Sequence, residues 1–217
     1  MPSLEDALRA TLMYAVVPLW ALAGFGDWLC HRWQRLELTA GVGESLLHLL
    51  MLALLGPALL AVLLFEVNAL LLALLLAAAV AHELVFWCDL FYACARRRIP
   101  PVEQWIHGVQ FAVPWVGLAG LMLLHRDQAL AGVAGAPLAD WSLQLKNAPL
   151  PDGYVAGVLV VAVLLVGLPF VEELLRCRRA LSERAAAPAV WKQARPEPWM
   201  PATPAIRPPP RDPRGGG

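Results

Sequence analysis

The chain has 217 residues, of which 59% are hydrophobic and 16% charged, with mean hydropathy +0.59; this is too apolar for a soluble globular domain. A formal net charge of zero gives no electrostatic pull toward nucleic acid. Four cysteines (Cys30, Cys88, Cys94, Cys177) form no CxxC pair, so they read as small buried hydrophobes and not as a disulfide framework.

About twenty apolar residues span a bilayer. Five segments qualify, at about 11–32, 42–65, 69–93, 102–124 and 154–176. The leading MPSLEDALRA carries Glu5 and Asp6 against Arg9, so the first segment reads as a retained helix and not as a signal peptide, although Ala21-Leu22-Ala23 mimics a cleavage site. Only Glu66-Val67-Asn68 separates the second and third segments, a tight turn that Glu66 and Asn68 would cap. Pro100-Pro101 signals the start of the fourth. A loop of nearly thirty residues, with Pro137, Trp141, Lys146 and Pro149, leads to the fifth. The fold class is therefore all-α. It is a polytopic integral membrane protein over residues 1–179, followed by a Pro- and Arg-rich segment, 180–217, that reads as a disordered tail with one short helical turn near its start.

Arginines fix the expected orientation. Arg32 and Arg35, Arg96 to Arg98, and Arg176, Arg178 and Arg179 follow the first, third and fifth segments and so share one side. The positive-inside rule makes that side cytoplasmic, with the N-terminus out and the C-terminus in, in a bacterial inner membrane. Arg96 to Arg98 then read as topology determinants touching lipid headgroups, or as a contact for an anionic substrate. Trp28, Trp33, Trp87 and Trp105 fall where an aromatic belt would lie.

Four of the apolar segments carry a carboxylate and a histidine at helical spacing. Asp27 and His31, Glu44 and His48, and Glu103 and His107 are each four apart; His82 and Asp89 are seven apart. All eight should lie toward the arginine-rich side. A carboxylate near the centre of a membrane helix costs about 2.5–3.5 kcal/mol, so eight ionisable groups in one layer need neutralising. They can pair with one another as a polar seam that fixes helix register, or divalent metal can neutralise them. Carboxylates and imidazoles together suit iron or zinc. Eight ligands exceed one tetrahedral ion and suit two, or three if Glu37 or Glu83 joins. Glu83 points about 100° away from His82 and reads as a ligand or a ligand's partner; Glu37 lies in a loop. Gln110 stands one turn beyond His107 and is placed to orient a ligand or to pack. Glu172 and Glu173 read as interfacial salt-bridge partners, Glu172 being the one able to close the site.

The ligand set is analogous to di-iron carboxylate bundles, though the spacing here is Glu-x-x-x-His and not Glu-x-x-His. The stretches GDWLCHR, GESLLH, FEVNAL, AHELVFWCDL and PPVEQWIH resemble a family of small bacterial polytopic membrane proteins, over roughly residues 20–125. That resemblance implies the architecture and no activity.

Three functions fit these residues. The first is a membrane metalloenzyme whose site opens toward the cytoplasmic leaflet and oxidises a lipophilic substrate by hydroxylation or desaturation, with a redox partner. A zinc-dependent lipid hydrolase is the second. The third is a non-enzymatic metal-binding accessory subunit of a larger membrane complex. No nucleotide-binding glycine loop, nucleophile elbow or HExxH motif is present, since His82-Glu83 lacks the second histidine. Through-transport is disfavoured because the outer helix halves are almost entirely Leu, Ala and Val.

Overall fold

The computed structural model describes residues 3–186, and the expected tail lies almost wholly outside them. Among the described residues five helices are long and apolar enough to cross a membrane: α1 (Leu4–Trp33), α2 (Val42–Leu64), α3 (Ala69–Cys94), α4 (Pro101–Leu124) and α6 (Asp152–Ala186). A short helix, α5 (Arg126–Ala134), lies between α4 and α6. Among the described residues the only β pairing is a single bridge between Phe65 and Leu145.

Helix α1 begins seven residues before the apolar run because Ser3 and Asp6 form a reciprocal capping box. Both α1 and α6 contain one π-helical turn, at Leu12–Val16 and Val163–Gly167, each followed two residues later by a proline, Pro18 and Pro169. Proline lacks the N–H that its preceding turn expects, and a slipped hydrogen-bond register accommodates the loss. The segment expected as a loop of nearly thirty residues contains α5. Asp127 in its first turn and Gly135, at φ +62, frame a helix too short and too mixed to show periodicity.

Helices α2 and α3 pack side by side through the tight turn at residues 65–68. Asn68 caps α3, its side-chain oxygen accepting from Leu71 N, and its amide donates to Ser142 O. Glu66 N and Lys146 N donate to Gln144 O and Leu64 O, so the loop after α5 folds back over this turn. Helix α1 packs on α4, and α6 on α2 and α1. Gly41, at φ +63, supplies the left-handed residue that turns the chain into α2 just before Glu44.

Leucines such as Leu22, Leu50, Leu74 and Leu123 are exposed along the helix sides, while carboxylates and imidazoles are buried. That inversion of the soluble pattern is what lipid as solvent demands. At the end bearing the EVN turn the core is apolar: Val67, Leu71, Leu72, Leu75, Ala79 and Leu118. At the arginine-rich end the interior is polar.

Candidate metal centre

Seven of the eight expected ligands come together. Asp27 and His31 rise from α1, Glu44 and His48 from α2, Asp89 from α3, and Glu103 and His107 from α4, and none of the seven is more than 6% exposed. His31 Nε2 lies 3.4 Å from Asp27, 3.2 Å from Glu103 and 3.8 Å from Glu44. His107 Nε2 lies 3.1 Å from Asp27 and 3.8 Å from Glu103, and His48 Nε2 is 3.4 Å from Asp89.

His82 stands apart from these seven. Seven residues along a helix return to the same face but advance about 10.5 Å. His82 and Asp89 therefore share a face without sharing a layer. His82 is buried with Nδ1 unpartnered, and it lines a small cavity with Asp27, His48 and Gln110. Gln110 donates to the second oxygen of Asp27 at 3.3 Å. Glu83 accepts from Trp115 Nε1 at 3.1 Å, and Glu37 pairs with Arg176; neither reaches the layer.

The fifth spanning helix completes the site. Glu173 is fully buried, and its two oxygens lie 2.9 Å from His31 Nδ1 and 2.9 Å from His48 Nδ1. The two imidazoles stack, 4.6 Å between centroids and 7° between planes. Holding both Nδ1 atoms from one side turns both Nε2 atoms toward the carboxylates, which is how an outer carboxylate sets a metal-ligating histidine. The neighbouring Glu172 instead takes Trp28 Nε1 and Arg32 at the rim. Glu173 was legible in principle: Val166, Phe170, Glu173 and Cys177 form one buried helical stripe, with a carboxylate in the middle.

Arg97 corrects the reading of the arginine run. Its side chain is 3% exposed and donates to both Glu44 oxygens, to Glu103 and to Gln34, while Gln34 donates to Glu103. Burial works against its charge, but the hydrogen bonds and charges of Glu44 and Glu103 outweigh this and push the guanidinium's pKa up, so it is a fixed cation. Arg96 lies over the Tyr92 ring. Nothing in the spacing marks Arg97 out, because the chain has left the helix there and its return path is not periodic.

Two groups of donors lie within 4.8 Å of one another, Asp27–His31–Glu103–His107 and His31–Glu44–His48, sharing His31. Metal–ligand bonds of about 2.1 Å place donors at most about 4.2 Å apart, so shifts of a few tenths of an ångström would close either group. His107 Nδ1 is buried without a hydrogen-bond partner among the described residues, whereas His48 Nε2 and Asp89 Oδ1 face each other at 3.4 Å. Five carboxylates, Asp27, Glu44, Asp89, Glu103 and Glu173, meet one guanidinium, Arg97, and three imidazoles, a set that imidazolium pairing or divalent ions would neutralise. Buried His, Asp and Glu at this density can hold a metal ion. No protein-family model, curated protein or solved structure matches the chain.

Proposed function

We propose that this is a membrane metalloenzyme that holds two divalent ions in the layer of Asp27, His31, Glu44, His48, Asp89, Glu103 and His107 and oxidises a lipophilic substrate. The observation that carries the reading is Glu173 bridging His31 and His48. A polar seam built only for helix register has no need to fix two imidazoles with their free nitrogens aimed at a carboxylate cluster. Iron bound there would supply O₂-dependent oxidation at an unactivated carbon, dioxygen being the oxidant and a redox partner giving the two electrons that, with two protons, balance its reduction.

The chain's own residues have separable tasks. Glu173 orients two ligands, and Gln110 with His107 orients Asp27. Arg97 donates to Glu44 and Glu103 and, with Gln34, closes the layer on its arginine-rich side. Met51, Leu52, Phe86, Val166 and Phe170 line the small cavity beside Asp27 and His48, a wall that suits hydrocarbon and excludes water. The positive-inside rule puts this end at the cytoplasmic face, with the N-terminus outside. A zinc-dependent lipid hydrolase is the second reading, favoured by the imidazole share of the donor set.

Metal content of the detergent-purified protein, measured by mass spectrometry beside an E44A/H107A variant, tests the proposal. About two irons per chain, lost in the variant, is the expected result. Zinc at that stoichiometry selects hydrolysis. A folded protein with no stoichiometric metal, after growth in metal-replete medium, overturns both and leaves the seam.

A further inference from the structure

The end of the molecule opposite the polar layer contains a larger cavity, of about 210 Å³, between α1, α2 and α4. Its walls are apolar, with Val16, Leu55, Leu59, Val62, Val113 and Leu118 among them. Three basic side chains line it, Arg9, His125 and Lys146, and no carboxylate does. Glu5 pairs with Arg9 at 2.7 Å, and Glu66 accepts from Asn147 N at 2.8 Å; neither faces the cavity. Lys146 makes no ion pair among the described residues, and burial, then the Lys146 and Arg9 charges, hold His125 below the ordinary histidine range. Arg9 is also paired with Glu5 and the Glu66 charge acts on Lys146, so the basic side chains are local to the lining; a hydrocarbon-lined space rimmed by them suits an anion that carries a chain.

The cavity also adjoins the polar end of the bundle. Trp20 and Leu55 line both it and the small cavity of about 40 Å³ that contains Asp27, His48, His82 and Gln110. At 1.5 Å per residue, Arg9 to Trp20 is about 16 Å along α1 and Arg9 to Asp27 about 27 Å. One leaflet of hydrocarbon is about 15 Å deep. A single chain anchored at Arg9 is therefore long enough to reach Trp20 and Leu55, the wall that the two cavities share.

We propose that this cavity binds a single-chain anionic amphiphile of the fatty-acid class, its carboxylate between Arg9 and Lys146 and its terminal carbons against Trp20 and Leu55, the wall shared with the cavity of Asp27, His48 and His82. Binding stands on the cavity alone; delivery of the chain end for reaction rests on the metalloenzyme reading. The polar layer is closed by Arg97 and Gln34 on its own side, so the substrate arrives from the opposite end, along the bundle interior. This revises the expectation of a site opening directly to the nearer leaflet.

Palmitic acid bearing a diazirine on its terminal carbon, irradiated with the full-length protein in phosphatidylcholine nanodiscs, tests this. Peptide mapping should find label at Trp20, Met51 or Leu55. Palmitate should compete about tenfold better than hexadecanol, and R9E/K146E should weaken labelling by about tenfold. Leu59→Trp, which fills the cavity without touching the mouth, should block labelling while the melting temperature holds. Label spread over lipid-facing Leu74 and Leu123, or equal competition by hexadecanol, overturns the proposal. Metal content is measured on the same samples. Specific labelling of metal-free protein supports the site while counting against the metalloenzyme, and loss of specific labelling in metal-loaded protein removes the cavity and leaves the metal centre.

Discussion

One face of α3 passes through two different interiors. Leu71, Leu75, Ala79, His82, Phe86, Asp89 and Ala93 form a single buried stripe at helical spacing. Its first half packs among leucines; its second meets imidazoles, with Asp89 3.4 Å from His48 and Phe86 edge-on to His107. Lipid tails are as apolar as leucine, so burying Leu75 against Leu118 gains packing but little solvent exclusion. Burying Asp89 in the same bilayer is permissible only beside partners, so the polar half must assemble in one register or not at all. The apolar half fills space, and the polar half decides which helix faces which.

If that division holds, substitutions in the two halves should fail differently. Glu173→Ala leaves two buried imidazoles unsupported, and breaking such a buried pair costs about 3–5 kcal/mol. Thermal melting in detergent should fall sharply and bound metal should be lost together with stability. Glu173→Gln, which keeps the shape, should weaken metal affinity by about 10–100-fold with a smaller loss of stability, read by competition with a chelator. Leu118→Ala in the opposite half should cost about 2 kcal/mol or more through the void it leaves, with metal stoichiometry unchanged. Metal loss in that variant would erase the distinction between the halves.

Smaller effects sharpen the boundary. Asn68→Ala removes the α3 cap and should cost about 1 kcal/mol without touching metal content. His82→Leu is the most delicate case, because His82 faces the small cavity yet belongs to neither donor group. Metal stoichiometry should not change in this variant. A stoichiometric loss of one ion would move His82 into the centre and extend the polar layer by two turns.

Much of this was readable from spacing. Carboxylate and histidine four apart declared the contributions of α1, α2 and α4, because i and i+4 lie on one face whatever the neighbours are. The expectation of a single layer failed at His82, since sharing a face says nothing about depth. Glu173 and Arg97 were assigned to the interface because each sits beside other charges near a helix end, and proximity in sequence to arginines masked a buried stripe in one case and an inward-turning loop in the other. Helix α5 was hidden by shortness. What periodicity cannot report is where a chain goes once it leaves a helix, and the site's closure depends on such a segment.

The position of Glu173 in the chain also bears on biogenesis. Synthesis proceeds from the N-terminus, so the helices bearing His31 and His48 leave the ribosome more than a hundred residues ahead of the carboxylate that orients them. Until α6 inserts, the nascent bundle holds histidines free to choose other partners. If the layer holds metal as proposed, insertion of the helix bearing Glu173 is the step at which an immature membrane intermediate becomes competent to take it up, and a chain truncated before Glu173 should insert yet remain unmetallated.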